Sequence, residues 1–132
     1  MLQIDTNGRG FYEITERVAK ALPARSGLLH LFVRHTSCSL LIQENADPDV
    51  QHDLAAFFAQ LIPDADDPQM AYLTHRDEGP DDMPAHIKSA LLPVSLSIPV
   101  SNGRMMLGRW QGIYLVEHRD RPHRREILVT MA

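Results

Sequence analysis

The apolar positions of this chain change period several times, and each change marks an element. Leu28–Val33 and Ser37–Gln43 are apolar runs of strand length. Further strands are predicted at Val94–Val100, Arg104–Leu107, Trp110–His118 and Arg125–Met131. Between them Val50, Leu54, Phe57, Phe58 and Leu61 fall at i, i+4, i+7, i+8 and i+11, one helical stripe whose opposite face carries Gln51, His52 and Gln60. Asp47 is placed to cap that helix, with Pro48 in its first position. A second helix is predicted from about Met83 to Leu91, with Asp81 or Asp82 as its cap, and a weaker one after Thr15 carrying Val18 and Leu22. Asn102-Gly103 is a hairpin signal, because both residues tolerate positive φ. Strands in adjacent hairpins, without helical crossovers, predict an α+β class: a mostly antiparallel sheet or sandwich with two to three helices.

The 132 residues suit one domain, spanning 1–132, large enough to fold without a disulfide or a structural metal. The stretch Pro63–Asp82 is rich in turn formers but too short to separate domains; loops of this length inside a compact domain are usually functional or disordered. A net charge of −4 argues against nucleic acid as the main partner. A local basic group, Arg119, Arg121, Arg124 and Arg125 with His118 and His123, is either a phosphate holder or a solvated strand end. Cys38 is the only cysteine, which fits a reducing compartment. No leader pattern and no membrane-length apolar run are evident, so the expectation is a cytoplasmic protein without a membrane partner.

Candidate chemistry concentrates between His75 and Lys88. His75 and His86 bracket a segment dense in acids, and imidazole is the commonest transition-metal ligand. The alternative is two histidines that hydrogen-bond backbone near a helix start. Lys88 lies two residues after His86, and positions two apart do not share a helical face; it either meets a substrate phosphate or is solvated. His35-Thr36-Ser37-Cys38 joins two strands and offers hydroxyls and N–H groups to an oxyanion, or is an ordinary polar turn. Cys38 falls in phase with Leu40 and Ile42, as a small core residue would. Asp53 borders the apolar stripe and needs a partner: a metal, a histidine or a salt bridge. On the Trp110–Arg119 strand, Gln111, Ile113, Leu115, Glu117 and Arg119 share one face, polar at its ends and apolar in its middle. That face would line a pocket or form a core layer with wet ends.

Taken together, these segments resemble the YjbQ-like family, also described as secondary thiamine-phosphate synthases. The resemblance is carried by His35-Thr36-Ser37, by Glu44–Pro48 with Asp53, and by His75 with Glu78–Lys88. Gly103-Arg104, Leu107-Gly108 and Trp110–Leu115 with Glu117 and Arg119 complete it. Arg109, Pro93 and Arg121-Pro122-His123 depart from the family pattern. The resemblance implies a compact α+β homotrimer with a polar pocket holding a divalent metal, zinc first and magnesium where the substrate is a diphosphate. It implies His75 and His86 as ligands and His35 as a third. Glu78, Asp53, Gln111, Glu117 and Lys88 would then serve the reaction, while Thr36, Ser37, Asn45 and Arg125 would meet substrate phosphate. The implied reaction joins hydroxymethylpyrimidine diphosphate to thiazole phosphate with release of pyrophosphate. Metal-assisted hydrolysis of a phosphate or ester, and non-catalytic capture of a small anionic metabolite by a trimeric module, are the competing expectations.

Overall fold

The computed structural model describes residues Met1–Ala132, and eight strands and three α-helices run along the chain. In order they are β1 (Leu2–Asn7), β2 (Gly10–Glu13), α1 (Thr15–Lys20), β3 (Gly27–Val33), β4 (Cys38–Glu44), α2 (Pro48–Leu61), α3 (Asp82–Leu91), β5 (Ser95–Ser101), β6 (Arg104–Met105), β7 (Gln111–Glu117) and β8 (Pro122–Met131). A 3-10 turn, Pro68–Met70, lies between α2 and α3. No helix is long and apolar enough to cross a membrane.

The strands form two antiparallel sheets, ordered β1-β8-β3-β5-β6 and β2-β7-β4. One apolar core lies between them. It takes alternate residues from both sheets: Leu29, Leu31 and Val33 on β3, Ile98 and Val100 on β5, and Ile127 on β8 meet Cys38 and Leu40 on β4 and Ile113 and Leu115 on β7. Cys38 therefore sits in phase with Leu40, as its spacing predicts, and burial pushes its thiol up to about 12. The α+β class is as expected, but most pairings are not hairpins. Only β5 and β6 are chain neighbours, joined at Asn102 (φ 50°) and Gly103 (φ 80°). The other partners are distant: β1 with β8, β3 with β5 and β8, and β7 with both β2 and β4. The chain's first two strands lie outside the predicted set.

Helix α2 begins as predicted, with the Asp47 carboxylate accepting from the Asp49 N–H (2.9 Å). Its orientation is different. None of its residues is fully buried, and Phe57 and Leu61 of the predicted stripe are 58 % and 55 % exposed. Gln51, expected on the outer face, turns toward the small sheet instead. Its amide donates to the Glu44 carbonyl (2.9 Å) and to the Tyr114 hydroxyl (2.7 Å). Those two bonds rotate the stripe so that Val50, Leu54 and Phe58 face the protein only in part.

Helix α3 lies against β4, where the Ser89 hydroxyl donates to the Cys38 carbonyl. Its buried residues are Asp82, Pro84, Ala85, Lys88 and Ser89. Three of those five are polar, which is unusual for an inward face and sets up both sites described below.

Candidate metal centre on helix α3

The loop from Pro63 to Asp81 is ordered by one side chain. The Arg76 guanidinium donates to the carbonyls of Leu73, Ala65 and Met70 (2.9, 2.9 and 3.0 Å). This clamp presents the neighbouring His75 to the start of α3. Gly79 turns the chain into the helix at φ +104°, where a Cβ would also come 3.2 Å from Asp81 Oδ1.

Three potential ligand atoms converge there. One atom from each of His75, Asp82 and His86 lies within 4.8 Å of the others. Asp82 Oδ2 is 2.7 Å from His75 Nε2 and 3.2 Å from His86 Nε2. The Asp82 side chain is 2 % exposed, whereas those of His75 and His86 are 47 % and 31 % exposed, so the group opens to solvent on its imidazole side. Asp82 and His86 are i and i+4 on one helical face, the spacing at which side chains meet.

Asp82 and His86 are each held by a further contact. The other Asp82 oxygen accepts from Arg119 Nη1 (2.7 Å). Arg119 also donates to Asp81 Oδ2 (2.8 Å) and the Glu78 carbonyl (3.0 Å). Burial would raise the Asp81 pKa, but the Arg119 hydrogen bond and the Asp120 N–H outweigh it and hold the carboxyl below its ordinary range. Neither Asp81 nor Asp82 caps the helix through its side chain as expected, because Arg119 takes both.

The His86 ring orientation has a chemical consequence. Its Nδ1 is 2.8 Å from the Thr36 carbonyl, which can only accept, so Nδ1 carries the hydrogen. In the neutral ring Nε2 then presents a lone pair, and it faces the carboxylate oxygen of Asp82. Two acceptors at that separation require a proton or a cation to join them. Two imidazoles and one carboxylate, with the remaining directions open, form the donor set of a catalytic zinc or related divalent site.

The other residues singled out in the sequence are distributed over six places. His35 does not join the cluster; its Nε2 accepts the Glu126 N–H (2.8 Å), and its pKa is lowered by burial and by the Arg125 charge. It borders only a shallow depression shared with Thr36 and His86. Asp82 supplies the third potential ligand atom.

Glu117 and Arg125 close on each other across the two sheets, 0 % and 4 % exposed. Arg125 Nε donates to Glu117 Oε1 (2.8 Å), where the Thr6 hydroxyl also donates, and Arg125 Nη2 donates to the Ser37 hydroxyl (2.9 Å). The structure thus makes Glu117, Arg125 and Ser37 a buried brace rather than an open phosphate pocket. At Glu117 the β7 face is sealed, whereas Gln111 at its other end is exposed.

Gln111 and Asn45 lie at the opposite end of the small sheet. There the Gln111 side-chain oxygen accepts the Gly108 N–H and the Asn45 amide donates to Glu13. Asp53 is exposed on α2 and paired with His52 (3.1 Å). Lys88 points inward, away from His86, as their spacing requires. Glu78 offers its backbone to Arg119, and its side chain lies on a concavity of ≈ 420 Å³ with Arg119, Arg121 and His123. The departure Arg121-Pro122-His123 therefore brings a guanidinium and an imidazole to a concavity that shares Arg119 with the cluster. Asp82 is the functional candidate the sequence reading missed. Its four-residue offset from His86 was the available signal, obscured by its reading as a cap.

The whole chain, residues 1–132, matches the family model described as UPF0047 protein YjbQ-like. UPF0047 protein sll1880 of Synechocystis is 50 % identical, over 100 % of this chain and 89 % of its own length. UPF0047 protein YjbQ of Escherichia coli O157:H7 is 42 % identical, over 98 % and 94 %. The crystal structure of the conserved hypothetical protein TT1486 from Thermus thermophilus covers 100 % of both chains with a TM-score of 0.84 at 39 % identity. With agreement in sequence and fold along its full length, this chain belongs to the YjbQ-like UPF0047 family.

Proposed function

We propose that this protein is a divalent-metal-dependent enzyme acting on a small phosphate-bearing metabolite, with His75, Asp82 and His86 as its metal ligands. The observation that carries the reading is the convergence of one atom each from His75, Asp82 and His86 within 4.8 Å, with His86 Nδ1 held by the Thr36 carbonyl so that Nε2 faces the buried carboxylate. A zinc ion is the first choice for this nitrogen-rich set, and magnesium the choice if a diphosphate brings its own cation. A bound divalent cation would supply positive charge to an oxygen of the leaving phosphate. Arg119 holds Asp82 in place, and Arg121 and His123 stand where they can orient a second anionic group.

The finer reading rests on the family resemblance: transfer of a hydroxymethylpyrimidine from its diphosphate to thiazole phosphate, in the manner of a secondary thiamine-phosphate synthase. Assembly as a homotrimer is part of the same proposal, and the exposed Phe57 and Leu61 on α2 support some form of association. A cytoplasmic setting fits the single buried thiol.

The test is the metal content of untagged protein, compared with His75→Ala, Asp82→Asn and His86→Ala chains that keep their fold. Stoichiometric metal, lost in all three variants, is the expected result. No metal after zinc is added back would overturn the reading. Metal-loaded protein is then assayed with the two thiamine precursors and with simple phosphate esters. Ester turnover without coupling would replace transfer by hydrolysis, and tight ligand capture without turnover would replace both by a binding module.

A further inference from the structure

On the inner side of α3, away from the histidine cluster, a cavity of ≈ 130 Å³ lies between α2 and the outer face of the small sheet. Its walls are mainly apolar: Phe11 from β2, Ala55, Phe58 and Ala59 from α2, and Val116 from β7. Lys88 lines it, and the residue is only 4 % exposed. Its ammonium takes part in none of the chain's ion pairs or side-chain hydrogen bonds. Every fully sealed side-chain nitrogen and oxygen in the chain has a partner. The unpartnered Lys88 Nζ must therefore open into the cavity.

An ammonium among apolar groups is costly unless something accepts its hydrogens. The nearby acids are committed elsewhere. Glu117, which also lines the cavity, binds Arg125; Asp64 and Asp120 both bind Arg9 (3.1 and 2.9 Å), and Asp81 binds Arg119 (2.8 Å). The cavity thus offers three unused N–H donors on Lys88 among mainly apolar walls, which Arg9, Glu117 and His118 also border. Arg9 and Glu117 on the cavity wall are already paired with opposite charges, so Lys88 is the one uncommitted charge facing it, which suits a monoanion. The volume is close to that of a cavity that accommodates a benzene-sized body, roughly 150 Å³.

We infer that this cavity is a binding site for a small amphipathic monocarboxylate, its carboxylate on Lys88 and its aryl or branched aliphatic body against Phe11, Phe58 and Val116. The site is lined by none of the three metal-site side chains and is complete without a metal.

Benzoate is the probe, with benzamide and inorganic phosphate as controls, titrated into metal-free full-length protein in chelator. Backbone amide shifts are followed in nitrogen–proton correlation spectra. Benzoate is expected to shift Phe11, Phe58, Lys88 and Val116 saturably, with a Kd on the order of 1 mM or tighter. Losing a hydrogen bond to a charged group weakens binding about 10–100-fold, so benzamide and the Lys88→Met chain should bind that much more weakly. Phosphate should not compete, and His86→Ala should bind benzoate normally, which separates this site from the metal proposal. If Lys88→Met does not fold, Ala59→Phe carries the test by filling the cavity and abolishing benzoate binding. Equal binding of benzoate and benzamide, phosphate competition, or no saturable shifts would overturn the inference. So would Lys88→Met dissociating an oligomer, since a second copy's carboxylate would then be the ammonium's partner.

Discussion

Replacing Glu117 by glutamine removes one charge from the brace between the sheets with almost no change of shape. The carboxylate is fully buried and accepts from Thr6, from two Arg125 nitrogens and from the Arg119 N–H. Glutamine would leave the Arg125 guanidinium, 4 % exposed, without its counter-ion. Breaking one partner of a buried pair costs about 3–5 kcal/mol. For a chain of this length the unfolding entropy is about 0.28 kcal/mol per degree, so Tm should fall by roughly 11–18 °C.

The pH dependence has a definite sign. Burial alone would raise the Glu117 pKa, but the Arg125 and Thr6 hydrogen bonds and the Arg125 charge outweigh it and hold it below the ordinary glutamate value. Its stabilisation is present above that ordinary value and is lost as pH falls through the lower folded one. Glu117→Gln should therefore flatten the acid limb of stability. Adding Arg125→Met should restore part of the loss, since no uncompensated charge is then left between the sheets. Thermal unfolding at fixed protein concentration reads all three chains. A loss below about 1 kcal/mol in the single variant would refute the argument, because the guanidinium would then have found water.

Arg119→Lys should lower metal affinity about 10–100-fold while leaving the three ligands in place, because a lysine cannot hold Asp82 and Asp81 together; calorimetric titration with zinc measures this. The Cys38 thiol, pushed up to about 12 by burial, should be silent to a disulfide reagent at neutral pH until the protein unfolds, and rapid labelling of native protein would contradict its place in the core. His118 is pushed down to about 3 by burial and by the Lys88 charge, and its Nε2 meets the Ser39 hydroxyl at 2.9 Å. Its folded value lies below the unfolded value of about 6.5, so its stabilisation is complete above that value and declines as pH falls toward 3. Ring resonances of His118 that titrate above about pH 5 would show the side chain to be solvated.

The core strands were legible because alternation and β-branched runs report burial directly; β3, β4, β5, β7 and β8 all lie within a few residues of their predicted bounds. The sheet partners were not. Antiparallel order between β1 and β8, at opposite ends of the chain, leaves no local signal, whereas Asn102-Gly103 announced the one true hairpin through its backbone requirement. The orientation of α2 was misread because periodicity counts apolar side chains and cannot see that Gln51 has two acceptors waiting at Glu44 and Tyr114. The family's matched residues pointed to His75 and His86, but Asp82 read equally well as a helix cap. Only the position of Arg119, brought in from the end of β7, decides which way its carboxylate turns.

The residues that the sequence gathers into one pocket are separated by helical geometry. His86 and Lys88 are two apart on α3, about 200° around the axis, so one helix presents a solvent-facing ligand set and a buried ammonium on different sides. The two sides share a frame: Asp82 and Asp81 are both held by Arg119, while Asp120, next in the chain, accepts from Arg9 above the Lys88 cavity. A ligand that pulls Lys88 toward β7 and a metal that draws Asp82 toward the imidazoles would therefore act on the same short segment, Arg119-Asp120. If the two sites communicate, the physical link is that segment. The discriminating variant is Asp120→Asn, which weakens the Arg9 pair while its backbone N–H remains available to Asp81. Benzoate and zinc titrated together should show equal reciprocal effects in the unmutated chain, as linkage demands, and smaller ones in Asp120→Asn. Zinc affinity that is indifferent to benzoate in both chains would show that α3 carries two independent sites.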